Sequence, residues 1–138
     1  EWHLFGSSDY ITSLDSVIDP AELANHPAMV LGRPRETHQW LLKDEGGQTA
    51  SVPCTVRFAS DDMSTLKNAA SASLGLVALP SYVCRSEIEA GTLVRVLPNW
   101  TAGRPQISLL MPTRRGMLPA VEAFLDCVKQ DLPAVLAR

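Results

Sequence analysis

Residues 63–80 read MSTLKNAASASLGLVALP and change their apolar period partway along. The first part has apolar residues at spacings of three and four, which predicts one face of an amphipathic helix. Gly75 is expected to close this helix, and the apolar run 76–79 before Pro80 is too short for another one. We therefore expect a helix followed by a buried strand. The apolar positions of the helical period are Met63, Leu66, Ala70 and Leu74.

The segments on either side continue the alternation of strands and helices. Strands are expected over 2–5, 54–58, 92–97 and 107–111, with a hairpin that pairs the Trp40 side with the Val52 side of a glycine-containing turn. Helices are expected over 20–25, over 81–90 and from Pro119 onward, where Pro133 should kink or end the last one. Alternating strands and helices predict an α/β fold with a partly parallel sheet.

Composition limits the class of function. The chain has 138 residues, 46% of them hydrophobic, and a formal net charge of −3, which is typical of a globular domain and gives no electrostatic reason to bind nucleic acid. No apolar run approaches the ~20 residues that span a bilayer, so no membrane contact is expected. Three cysteines and no amino-terminal signal favour a soluble, cytoplasmic protein. The start on an apolar segment without methionine suggests a cut within a longer polypeptide.

The sequence contains no pattern that indicates catalysis or a metal site. GxSxG, a P-loop and a GxGxxG after a strand are all absent. His3, His26 and His38 lack metal-site spacing, and Cys54 is expected to be a small buried residue. Arg114 and Arg115 are read as a solvated edge or a subunit contact rather than a phosphate site. We therefore expect neither an enzyme nor a cofactor.

Several segments occur in an order that is typical of one family. They are LFGSSDYI (4–11), PAELANH (20–26), FASDD (58–62), ASLGLVALP (72–80), GTLVRVLPNW (91–100), and the closing strand and helix at 107–115 and 119–125. Taken in order, they resemble the effector-binding domain of bacterial LysR-type transcriptional regulators, and the resemblance covers almost the whole chain. Asp61 replaces the asparagine of the family's Ser-Asn-Asp turn, and Ser73 replaces a glycine.

The resemblance implies a type 2 periplasmic-binding-protein-like fold, in which two Rossmann-like lobes, each a mixed sheet flanked by helices, enclose an effector. Residues 1–104 would be the second lobe, and residues 105–138 the returning strand and carboxy-terminal helix of the first. The winged helix-turn-helix would lie upstream, so DNA would be a partner only through that missing domain. Homo-oligomers and a small-molecule effector are the other implied partners. The alternative function is that of a periplasmic solute-binding protein.

Two loops are expected to face the effector cleft. Hydroxyls and free backbone N–H groups in such turns suit a carboxylate or another small metabolite. Two alternatives stay open: Ser7 or Ser8 caps a short helix, and Asp61 or Asp62 caps the helix that follows. An ionised aspartate would repel an anion and accept an amine or a hydroxyl. The expected effector-binding residues are Gly6, Ser7, Ser8, Ala59, Ser60, Asp61 and Asp62.

Overall fold

A computed structural model of the chain describes residues 1–14, 19–33, 38–103, 108, 110 and 117–137. The chain divides into two compact units, residues 1–105 and residues 106–138. The strand predicted over 107–111 and the pair Arg114 and Arg115 rest on residues that lie largely outside the described ranges. The assignment of the two units to separate lobes stays a prediction.

The described elements follow the predicted alternation. The strands are β1 (Trp2–Ser7), β2 (Pro27–Leu31), β3 (Gln39–Asp44), β4 (Thr49–Pro53), β5 (Thr55–Ser60), β6 (Leu76–Pro80), β7 (Leu93–Val96) and β8 (Trp100–Thr101). The α-helices are α1 (Ser8–Thr12), α2 (Met63–Ser71), α3 (Arg85–Glu89) and, in the second unit, α4 (Pro119–Ala137). Short 3-10 helices cover Pro20–Asn25 and Ser81–Val83.

The main sheet of the first unit is mixed, as predicted. Its strand order is β5-β2-β6-β1-β7. Strands β5, β2 and β6 run parallel to one another, whereas β1 is antiparallel to both β6 and β7. The predicted hairpin pairs Trp40 with Val52 and belongs to a second sheet of order β4-β3-β8.

The core lies on both faces of the main sheet. Successive side chains of a strand point to opposite faces, and Leu4 and Phe5 of β1 accordingly belong to different buried clusters. Leu4 packs with Trp40 and Leu42 of the hairpin, while Phe5 packs with Leu66 of α2. The sheet is therefore covered by the hairpin on one face and by α2 on the other.

Three helices differ in detail from the prediction. The helix expected over 81–90 is interrupted at Cys84, which is fully buried and has non-helical backbone angles of φ −102° and ψ 8°. Helix α2 ends at Ser71, before Leu74, because Ser73 has a positive φ of 61°. Helix α4 continues through Pro133, so of the two predicted alternatives, a kink or an end, the end is wrong and the kink stays a prediction. In the first two cases the pattern predicted the element and missed a local backbone feature.

Candidate functional site

The first predicted loop is packed and bonded within its own unit. Ser7 is 3% exposed, and its Oγ accepts a hydrogen bond from the backbone N of Tyr10 (3.0 Å). The same Oγ lies 2.7 Å from the Oγ of Ser73. A Cβ added to Gly6 would come within 2.9 Å of Ile11. Ser7 is therefore the N-cap of α1, which confirms the capping alternative at this loop, and Ser8 is the first residue of that helix.

The second predicted loop follows β5 and opens α2. Ser60 Oγ accepts from the backbone N of Asp62 (3.1 Å), and Asp61 is exposed. The Asp62 carboxylate accepts from the backbone N of Ser64 (3.3 Å) and of Thr65 (2.7 Å) and from the Thr65 hydroxyl (2.5 Å). These bonds, those to Thr65 first, lower the pKa of Asp62. Asp62 is the helix cap, as the capping alternative predicts.

The capped helix start changes the expected chemistry of this loop. The N–H groups of Ser64 and Thr65 would be natural partners for an anionic ligand, but a carboxylate of the protein already occupies them. A second carboxylate would meet the charge of Asp62 and the exposed Asp61 beside it. An amine or a hydroxyl meets no such repulsion.

The structure does not bring the two predicted loops together. Ser60 is paired with Leu31 at the carboxyl end of β2, and β1 begins at this same end of the sheet. Ser7 is the last residue of β1 and lies at the opposite end of the sheet, where β7 begins with Leu93. Below, an edge of the sheet means one of these two ends of its strands. In the direction of the strands, Ser7 and Ser60 are about 13 Å apart. In the direction across the sheet, three strand spacings separate them by about 14 Å, so the total distance is ~20 Å. One site made from both loops does not fit this sheet.

An apolar groove of about 370 Å³ lies at the edge where β2 ends and β1 begins. Leu31, which pairs with Ser60, is part of its wall and 37% exposed. His38 and Gln39 add polar groups, and the His38 ring Nε2 lies 2.7 Å from the carbonyl oxygen of Arg33. The apolar lining residues include Trp2, Leu31, Trp40, Leu41 and Ala78.

Cys54 also lines this groove, but it is a poor nucleophile. It is half-buried and packs against the core cluster on the hairpin side of the sheet. Burial raises the pKa of its thiol to about 11, so the thiol is protonated near neutral pH. The groove therefore offers Cys54 as a neutral contact rather than as a reactive group.

Sequence reasoning missed this groove because its wall comes from segments far apart in the chain. Trp2, Leu31 and Trp40 become neighbours only after β1, β2 and the hairpin have packed. One available signal was the rule that ligands bind at the carboxyl ends of parallel strands. Residues 28–31 form an apolar run that reads as a strand, and the rule would have indicated a site at its carboxyl end, beside Leu31.

Two further findings concern metals and membranes. Within the described ranges, no three His, Cys, Asp or Glu residues are grouped so that they could hold a metal ion. Among the helices of those same ranges, none is both long enough and apolar enough to cross a bilayer.

Comparison with known proteins identifies the class of this fold. The regulatory domain of AphB from Vibrio vulnificus is similar with a TM-score of 0.65 and 26% identity, over 74% of this chain and 51% of that one. The CrgA regulatory domain from Neisseria meningitidis has a TM-score of 0.66 over 95% of this chain and 64% of that one, and its 17% identity supports the fold alone. The fold is the predicted α/β, type 2 periplasmic-binding-protein-like one.

The sequence then places the chain in a family. Residues 1–133 match the family described as the LysR substrate binding domain, and the chain belongs to that family. An HTH-type transcriptional regulator from Xanthomonas campestris is 26% identical over 89% of this chain, and the regulator PtxR from Pseudomonas aeruginosa is 28% identical over 89%. The chain spans 37% and 39% of their lengths. These relatives are regulators, so the alternative of a solute-binding transport protein is not favoured.

Proposed function

We propose that this chain forms one side of the effector site of a LysR-type regulator, and that the effector lies in the apolar groove at the carboxyl end of β2. The observation that supports this most directly is the groove itself, whose wall includes Leu31 at the carboxyl end of β2 and Trp2 at the start of β1. Ligands of open α/β sheets bind outside the carboxyl ends of parallel strands. The groove is also concave and largely apolar, as small-molecule sites are.

The second predicted loop follows at the same end of the sheet, and although its residues do not line the groove, they would offer polar groups to an effector that extends past Leu31. Leu31 and Ser60 are paired neighbours, and the backbone N of Gly32 donates to the carbonyl oxygen of Ser60 (3.0 Å). Asp61 and the Asp62 cap follow directly. Ala59 and Ser60 are thus kept in the proposal with these aspartates, whereas Gly6, Ser7 and Ser8 are given a structural role at the other edge.

The chemistry of this edge favours one class of effector. Trp2, Leu31 and Leu41 offer apolar contact, and the two aspartates disfavour a simple anion. We expect a small molecule with an apolar or aromatic body and a hydroxyl or amine group. The carboxylate effector considered from the sequence is the less favoured case, because the helix start that would bind it is already capped.

The parent protein would use this site to regulate transcription. In the proposal, residues 1–104 are the second lobe of the sensing domain and residues 105–138 return to the first. The remaining side of the cleft and a helix-turn-helix come from other parts of a longer protein, which acts in the cytoplasm as a homo-oligomer. Effector binding would shift the balance between lobe arrangements and so alter DNA binding. This is a binding function, with no catalytic step.

The test compares two leucine-sized side chains of equal exposure. Leu31 and Ile88 are both 37% exposed, but Ile88 lies on α3, away from the groove. A thermal-shift screen of the intact natural protein with aromatic amines, phenols and aromatic acids supplies the probe. With the best probe, Leu31→Gln should weaken binding about fivefold, since losing ~40 Å² of apolar contact costs about 1 kcal/mol. Ile88→Gln should leave the dissociation constant unchanged. Equal constants for wild type and Leu31→Gln would remove the effector from this groove.

A further inference from the structure

A second, polar groove of about 720 Å³ lies in the same unit and has no role in the proposed effector site. It is bordered by the start of β1, the turn after β3, the end of β7 and the segment 98–103. Gly103 lines both grooves, but the side chains differ in kind: the first groove is mainly apolar and this one carries ionisable groups. Its ionisable lining residues are Glu1, His3, Lys43, Asp44, Glu45 and Arg95.

Arg95 is fixed in this groove without being neutralised. Its Nη2 donates to the carbonyl oxygen of Pro98 (3.1 Å) and lies 2.5 Å from the Nδ1 of His3. The His3 side chain is only 8% exposed, and burial first, then the charge of Arg95, lowers its pKa. A neutral imidazole can accept from the guanidinium. Among the described residues, no carboxylate lies within 4.0 Å of the Arg95 guanidinium nitrogens.

This arrangement leaves most of the guanidinium available. The bonds of Arg95 within the described ranges all use Nη2. Both N–H groups of Nη2 are used, on Pro98 and on His3, so a two-point fork is not left for a carboxylate. The Nε–H and the two Nη1 N–H groups remain, and each can donate a single charge-assisted hydrogen bond to a carboxylate oxygen. The buried ring of His3 and the Pro98 carbonyl hold the guanidinium in place, so little side-chain entropy is lost on binding.

The charges of the described lining residues select against a simple anion. Among these residues, three carboxylates (Glu1, Asp44 and Glu45) face two cations, Lys43 and Arg95, while the lowered pKa of His3 favours its neutral form. Asp44 also accepts a hydrogen bond from the backbone N of Gln48 (2.7 Å), which fixes it in the turn. A molecule that carries both a carboxylate and an amine can satisfy both signs at once.

We propose that this groove is a second small-molecule site, which binds an amino acid or a similar amino-carboxylate. The carboxylate pairs with Arg95, and the amino group faces the acidic residues of the groove. The proposal goes beyond the effector site and does not rest on it, because the two grooves share only Gly103.

Isothermal titration of the intact natural protein with glycine, L-alanine, L-glutamine and L-lysine tests the site. At least one should bind, and at least tenfold more tightly than acetate or methylammonium at equal ionic strength. Arg95→Gln should weaken that binding tenfold or more, because the charge-assisted hydrogen bonds of the guanidinium are lost. Arg95→Lys, which keeps the charge but not the planar guanidinium, should have an affinity between those of the wild type and of Arg95→Gln.

Matched variants distinguish binding in this groove from binding elsewhere on the molecule. Arg57→Gln makes the same change at an exposed arginine on β5, outside the groove, and should bind like the wild type. Leu31→Gln, in the apolar groove, should do so too. The proposal is overturned if none of the four amino acids binds, if Arg57→Gln weakens binding as much as Arg95→Gln, or if only Leu31→Gln does. It is equally overturned if Arg95→Gln changes the light-scattering mass while leaving the affinity intact, since the groove would then be a subunit contact.

Discussion

The two edges of the main sheet carry similar residues and use them differently. At the edge that contains Ser7, the serine is buried and bonded to the backbone of Tyr10 and to Ser73. At the edge that contains Ser60, the polar residues are half-exposed or exposed, and the strand beside them borders a groove. In our proposal, the turn at Ser7 therefore has a structural role, and binding belongs to the turn at Ser60. The end of the sheet at which a serine-rich turn lies would decide between the two roles.

Strand direction accounts for this difference. Because β1 is antiparallel to β6, the turn after β1 lies where β6 begins. The turn after β5 lies where β2 and β6 end, since these three strands are parallel. Turns that follow strands of opposite direction cannot share an edge. We therefore expect substitutions near Ser7 to change stability and those near Ser60 to change binding.

The largest effect is expected for Gly75→Ala, at the Ser7 edge. Gly75 has a φ of +147°, and a Cβ there would collide with the carbonyl oxygen of Pro27 at the start of β2. Backbone strain and the collision together should lower the free energy of unfolding by about 3 kcal/mol or more. Urea unfolding of the purified protein measures the loss.

Gly47→Ala is the matched control for this substitution. Gly47 also has a positive φ, of +88°, but a Cβ there would meet no atom within 4 Å. It should cost only about 1 kcal/mol, the strain of a left-handed alanine. Equal losses in the two variants would show that the close approach at Pro27 is not a constraint on this edge.

A smaller effect is expected for Ser7→Ala, which separates a cap from a ligand contact. The substitution removes the bond to Tyr10 N and the bond between the hydroxyls of buried Ser7 and exposed Ser73. The free energy of unfolding should fall by about 1 to 2 kcal/mol, and effector affinity should stay the same. Ser8→Ala, a neighbour in the same helix, should change the stability by about 0.5 kcal/mol or less. A loss of affinity in Ser7→Ala at unchanged stability would restore Ser7 to the binding site.

The smallest effect is a pH dependence at Asp62. Its lowered pKa means that the folded state binds a proton less readily than the unfolded chain. The stabilisation is therefore complete above the unfolded pKa of about 4 and is lost as the pH falls through the folded pKa. Asp62→Asn keeps a capping oxygen that does not titrate, so its stability should fall less than that of the wild type below pH ~4. The melting temperatures of the wild type and of Asp62→Asn are compared from pH 7 to pH 2. A difference between them that is the same at every pH would contradict this role.

Much of the fold could be predicted from local pattern. The change of period at Met63 to Pro80 predicted α2 and β6. The helix predicted over 20–25 is a 3-10 helix in the structure, and Asp19 caps it by accepting from Ala21 N (2.9 Å). These features depend on neighbours in sequence. The break at Cys84 could not be predicted in this way, because it reflects burial against residues of α2 and the sheet.

The candidate site could be predicted only in part. Asp62 as a cap is a local feature, and the sequence offered it among the alternatives. The separation of Ser7 from Ser60 depends on the antiparallel pairing of β1, which no local pattern encodes. The groove beside Leu31 and the fixing of Arg95 by His3 join residues that are far apart in the chain. Such contacts follow from topology and packing.

The most direct measurement is a crystal structure of the intact natural protein with its best-binding apolar probe. We expect electron density for the probe against Leu31, Trp2 and Leu41, with a polar group of the probe directed toward Ser60 or Asp61. Density beside Ser7 and Ser8, with the groove at Leu31 empty, would contradict the assignment of binding to the edge where β2, β5 and β6 end.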